Sequence, residues 1–247
     1  VPRRETYAQG GPCWVDYMAA DPEGARDFYA GLFGWTFDAP EEYGYRLARR
    51  GGEVVGGFGR VPEGRGMPAA WNTYLAAKDA EAVAGRVAAL GGTVVFGPLG
   101  AGANGRFLFA VDPAGATVGF WQGHWAEGIV LVDEPGATCG HELWAADPAA
   151  ARVFYSGLFG PGLFGSGLFG EETPPGWDVR GTPHAASPQW LSYFLVDDVP
   201  AAALAAERAG GGVAGQDHEG GEAVLRDPWG ALFGVRDGRR RSAGGTR

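Results

Sequence analysis

Histidine and cysteine are scarce in these 247 residues, with four of the first and two of the second. That leaves few nitrogen and sulfur ligands for a metal, and too few thiols for a disulfide scaffold. Lysine is nearly missing: Lys78 is the single one among 20 basic residues, against 29 acidic ones. A net charge of −9, with basic clusters no longer than Arg49-Arg50 and Arg239-Arg240-Arg241, argues against nucleic acid as a partner. No apolar run approaches the roughly 18–20 residues that span a membrane, and VPRRETYAQGGP carries no secretory apolar stretch. The expected setting is the cytoplasm, with no membrane partner. Cys13 and Cys139 are read as buried thiols in its reducing environment.

What the chain has is a duplication. CWVDYMAADPEGARDFYAGLFGW, from Cys13 to Trp35, returns as CGHELWAADPAAARVFYSGLFGP from Cys139 to Pro161. Each copy opens on a short strand, Trp14–Met18 or His141–Trp144. Each continues through an Asp-Pro helix start, at Asp21-Pro22 or Asp147-Pro148. Phe28, Tyr29, Leu32 and Phe33 recur at helical spacing and read as core, with Gly34 and Gly160 as left-handed caps. A second strand and Ala-rich helix follow in each copy, from Ala70 to Gly92 and from Gln189 to Gly211. Asp-Pro-x-Gly at Asp112 and Asp227 marks a tight turn between closing strands. The expectation is four strand–helix–strand–strand–strand modules. One segment breaks the symmetry: GLFGPGLFGSGLFG, Gly157–Gly170, reads as an expanded surface loop, or else as an apolar flap over a cavity.

These motifs resemble the vicinal oxygen chelate superfamily, which includes glyoxalases, extradiol dioxygenases and bleomycin-resistance proteins. The resemblance implies an α+β fold of two tandem domains, each of paired βαβββ modules forming a U-shaped mixed sheet around a cavity. The domains would span residues 10–122 and 137–237, with a linker at 123–136 and a disordered tail at 238–247. Metal-binding relatives carry a His (or Gln) early in the first strand, a His at the matching place in the second module and a Glu in the last strand. Carried over, those positions fall on Trp14, Asn72 and Gly119, and on Gly140, Leu191 and Gly234. None of these sets holds a metal, so no metal and no cofactor is expected. A strand shifted by one residue would bring His141 in, with His184 and His218 as further ligands. Val15 at the matching place assigns His141 to the opposite face.

Alternation along the strands puts Trp14, Asp16 and Met18 on the first cavity wall with Asn72, Tyr74 and Trp121. It puts Glu142, Trp144, Tyr193 and Arg236 on the second. Apolar walls with a few polar groups suit a small-molecule ligand. The acids could alternatively pair with Arg106 or Arg226. The function expected first is metal-free binding of an aromatic or natural-product molecule, such as antibiotic sequestration. The alternative is a metal-independent isomerase, cyclase, hydrolase or hydroxylase. There Asp16 or Glu142 acts as general base and Tyr74 or Tyr193 as proton donor. A monomer or a homodimer fits either reading.

Overall fold

The computed structural model describes the chain except residues 1–3, 62–63, 65, 125–126, 161–162, 164–176, 183–186, 218–220 and 239–247. The first half runs β1 (Pro12–Ala19), α1 (Pro22–Phe33), β2 (Thr36–Phe37), β3 (Arg46–Arg50) and β4 (Glu53–Arg60). It continues with β5 (Ala70–Ala76), α2 (Ala80–Ala89), β6 (Thr93–Gly100), β7 (Gly105–Val111) and β8 (Thr117–Gly123). The second half runs β9 (Thr138–Ala145), α3 (Pro148–Phe159), β10 (Trp177–Gly181), β11 (Gln189–Val196) and α4 (Val199–Arg208). It ends with β12 (Gly212–Gln216), β13 (Glu222–Arg226) and β14 (Leu232–Asp237). Gly123, expected in the linker, closes β8.

Each helix begins where an Asp side chain accepts a backbone N–H left over by the first turn. Asp21, Asp79, Asp147 and Asp198 accept from Gly24, Ala82, Ala149 with Ala150, and Ala201. Gly34 closes α1 with φ 67° and ψ 35°, a left-handed cap. Gly160 does not repeat it. Its φ of 103° and ψ of 161° lie in an extended region of positive φ that glycine tolerates.

The strands form two mixed sheets, ordered β2-β3-β4-β1-β5-β8-β7-β6 and β10-β9-β11-β14-β13-β12. In the first, β1 and β5 run antiparallel at the centre, and each has a parallel neighbour, β4 or β8. The second repeats this with β9 and β11 flanked by β10 and β14. The modules containing β1, β5 and β11 have all the expected strands. In the module that opens with β9, β10 is the strand that follows the helix among the described residues. Leu158 and Phe159, the first Leu-Phe pair of the inserted segment, end α3 and pack into a core instead of lying exposed. Leu163 is also buried, and the remainder of that segment lies outside the described residues.

The helix-bearing faces of the two sheets meet, and the Thr73 and Ser192 hydroxyls touch at 3.0 Å between them. Two cores result, and each draws on both halves. One joins Val15, Tyr29 and Trp71 to Phe194 and Phe233. The other joins Leu75, Leu108 and Phe120 to Leu143, Tyr155 and Trp190. Within them Tyr29 donates to Asp227 at 3.0 Å and accepts from the Trp71 indole at 2.9 Å. Tyr155 donates to Asp112 at 3.1 Å and accepts from Trp190 at 3.1 Å. The four core positions named for α1 therefore include one, Tyr29, that also bonds across the halves. Cys13 and Cys139 form no disulfide.

Candidate functional site

Directly opposed residues of neighbouring strands share a face. Asp16 opposes Asn72, Trp14 opposes Tyr74 and Met18 opposes Ala70, so the first predicted wall stands on one face. The intervening Val15, Tyr17 and Thr73 are buried on the other, between the halves. Asp16 is 3% exposed. Its Oδ1 accepts from the Asn72 amide at 2.8 Å; its Oδ2 accepts from the Tyr74 hydroxyl at 2.7 Å and the Tyr45 hydroxyl at 3.3 Å. The Trp14 indole N–H donates to Tyr45 at 3.0 Å.

Among the described residues no arginine or lysine pairs with Asp16. Burial pushes its carboxyl up to about 6, against the opposing pull of the three hydrogen-bond donors. Burial first, then the Asp16 charge, holds the Tyr74 and Tyr45 hydroxyls well above their ordinary value. The centre is therefore a carboxylate that titrates close to neutral pH, beside two phenols that stay protonated.

An aromatic strip leads outward from this centre. The Tyr74 ring lies over Gly119 of β8, which opposes Phe109 of β7, which opposes Phe96 of β6. One row along, Trp121 opposes Phe107, and Phe107 opposes Leu99. Ring centroids are 5.0 Å apart for Tyr74–Phe109 and 5.8 Å for Phe96–Phe107. Burial falls away along the strip: Tyr74 is 6% exposed, while Phe96 and Leu99, on the edge strand, are 49% and 46% exposed.

The second sheet solves the same position differently. Glu142 is also 3% exposed, and its Oε2 accepts from Tyr193 at 2.9 Å and Trp144 at 3.3 Å. Its Oε1, however, meets two guanidinium groups, Arg180 at 2.9 Å and Arg236 at 3.3 Å. Arg236 also pairs with Glu222 at 2.6 Å and stacks 4.3 Å over the Tyr193 ring. The row beyond Tyr193 runs through Gly234, Val224 and Gly215 and holds no further ring.

The pairing considered for the acids with Arg106 or Arg226 is not formed. Arg106 bonds Glu81, and Arg226 bonds the Gly230 carbonyl. Tyr45, Phe96, Arg180 and Glu222 were not legible as site residues. Phe107 and Phe109 carried a signal in the alternating Phe-Leu-Phe of β7, whereas Tyr45 is brought in only by the hairpin of β3 and β4. His141 stands on the face opposite Glu142, its Nδ1 3.1 Å from the Ser192 hydroxyl. Burial drives its pKa down to about 3. His184 and His218 lie outside the described residues.

The family model for a glyoxalase-like domain matches residues 13–120. Over 95% of its length the chain is 36% identical to "Putative glyoxylase CFP32" of Mycobacterium tuberculosis (strain CDC 1551 / Oshkosh), 97% of which is covered. The chain belongs to the glyoxalase-like family of the vicinal oxygen chelate superfamily. It is also 33% identical to the anthracycline biosynthesis protein DnrV of Streptomyces peucetius, over 97% of this chain and 98% of that one. Among solved structures it is similar to the Mn(II)-bound glyoxalase of Novosphingobium aromaticivorans. That match has a TM-score of 0.62 and 15% identity, and covers 94% of this chain and 83% of the other. This last likeness concerns the fold alone.

The superfamily's metal does not fit the residues present. Trp14, Asn72 and Gly119 offer no imidazole or carboxylate, and the Tyr74 ring fills the space that a side chain at Gly119 would need. At the second site a Cβ on Gly234 would meet the Tyr193 ring, and one on Gly140 would meet Arg236, so a cation already occupies that wall. Among the described residues no three His, Cys, Asp or Glu side chains are grouped to hold a metal ion.

Proposed function

We propose that the Asp16 face of the first sheet binds a planar aromatic small molecule of natural-product metabolism without a metal, and that the matching face of the second sheet is a structural support. One observation carries this reading. An aromatic strip runs from exposed Phe96 to buried Tyr74 and ends at a carboxylate that has no ion-pair partner among the described residues, in one copy only. Apolar walls with a few fixed polar groups are what such ligands require, and ring faces stack on ring faces. The likeness to proteins of anthracycline biosynthesis supports the ligand class.

The test is a titration with 1,4-dihydroxyanthraquinone, followed by tryptophan fluorescence. The expected result is saturation at one molecule per chain, lost in Trp121→Ala and kept in Trp144→Ala. Two sites per chain, or none, would refute the assignment. A second reading, an acid–base enzyme, is favoured by the Asp16 carboxyl sitting near 6 with the Tyr74 hydroxyl at 2.7 Å. Such a base is worth typically about 10²–10⁴-fold. Ligand recovered unchanged supports binding; ligand consumed, with loss of turnover in Asp16→Asn, supports the enzyme.

A further inference from the structure

The duplicated chain carries its own comparison. Position by position, Asp16 corresponds to Glu142 and Tyr74 to Tyr193. In both copies the tyrosine hydroxyl donates to the acid, and the tyrosine ring covers a glycine of the parallel neighbour strand. The two arginines that neutralise Glu142 have counterparts as well. Arg236 stands where the first sheet has Trp121, two residues beyond the covered glycine. Arg180 opposes Trp144 in β9, just as Gly59 opposes Met18 in β1. Both cations are therefore replaced in the first sheet, one by an indole and one by no side chain, while the acid and its phenol are kept.

A buried carboxylate without a counter-ion is costly, and a molecule that supplies the missing cation recovers that cost. The surroundings suit an ammonium group in particular. Tyr45 and Tyr74 reach Asp16 through their hydroxyls, Trp14 bonds Tyr45, and Trp121 packs in the same cluster as Tyr74 and Trp14; aromatic faces attract organic cations. The second sheet shows the arrangement completed, with the Arg236 guanidinium stacked on Tyr193 and in reach of Glu142. From this geometry we infer that the ligand of the first sheet is an aromatic molecule bearing a cationic amine. Its ammonium takes, beside Asp16 and over Tyr74, the place that Arg236 fills in the other copy. The inference rests on the binding reading given above.

In this reading the ligand's ammonium displaces Tyr45, whose bond to Asp16, at 3.3 Å, is the longest of the three. Tyr45 also follows directly on Tyr43 and Gly44, both with positive φ (60° and 76°), in an exposed turn. An ammonium can take over that bond while the Asn72 and Tyr74 bonds stay in place.

The experiment uses the full chain and three probes at pH 7.5: 1-naphthylmethylamine, which is cationic, 1-naphthalenemethanol, its neutral counterpart, and 1,4-dihydroxyanthraquinone. The amine is expected to bind at least about tenfold more tightly than the alcohol. That preference should vanish in Asp16→Asn, which removes the charge and keeps every ring. An amine that binds no better than the alcohol, or not at all, while the anthraquinone still binds, overturns the inference and leaves the aromatic site standing. Failure of all three probes overturns the site itself. The ranking on the unmodified protein decides the matter even where a variant does not fold.

Discussion

Replacing Asp16 by asparagine should make the protein more stable at pH 8, though it removes a buried, triply hydrogen-bonded group. The carboxyl titrates at about 6 in the folded chain, against 3.8 for an ordinary aspartate. Between those values the folded state holds a proton that the unfolded state has lost, so stability falls as pH rises through the window. At 1.36 kcal/mol per unit this amounts to about 3 kcal/mol, all of it lost above pH 6. Asparagine carries no charge to desolvate. Its carbonyl can still accept from Tyr74, but its amide meets the Asn72 amide, a mismatch that costs about 1 kcal/mol. The expected net gain is about 1–2 kcal/mol at pH 8, shrinking to nothing or reversing near pH 4.5. Urea unfolding of both proteins at the two pH values measures it. His141 acts in the opposite sense over the same range, so the difference between the proteins is the quantity to read, not either slope. A variant less stable at pH 8, or a gap that does not change with pH, would show that Asp16 is an ordinary structural acid.

His141 itself should make the protein acid-sensitive. With its folded pKa pushed down to about 3 from 6.5, its contribution is present above pH 6.5 and is lost as pH falls towards 3. His141→Leu should flatten that loss by about 2–3 kcal/mol, after discounting for the ring's partial exposure, as read by thermal unfolding across pH. Tyr29→Phe leaves the Asp227 Oδ2 and the Trp71 indole N–H without their shared partner in a closed core. It should cost about 2–3 kcal/mol in urea, with near-ultraviolet circular dichroism otherwise unchanged. A loss below about 0.5 kcal/mol would mean that water reaches the pair.

The grouping of Asp16, Asn72 and Tyr74 was legible because strand side chains alternate with period two, and each short strand shows which residues share a wall. The helix starts were legible because Asp followed by Pro at the first turn satisfies the backbone locally. What could not be read depends on distant partners. Tyr29 looks like any core tyrosine until Asp227, 198 residues away, is placed beside its hydroxyl. Arg236 was assigned to the right wall, but its choice of Glu142 and Glu222 over other acids follows from how the β13–β14 hairpin lies beside β11 and β9. The loss of a closing glutamate at Gly119 was visible in the sequence. The phenol that fills the vacated space was not, since nothing local tells a tyrosine to lie over a glycine on the next strand.

The exchanged contacts between the halves bear on how the duplicated gene could diverge. Each tandem unit finishes its partner's interior, through Tyr29 on Asp227 and Tyr155 on Asp112, so deleting either unit would open the core of the other. On the reading proposed above, the second unit is kept for this mechanical duty, and salt bridges stand where the first has rings. The first keeps the exposed rings and the lone acid. Inheritance on that reading is divided: one copy retains the work, and the other retains the obligation to hold it up.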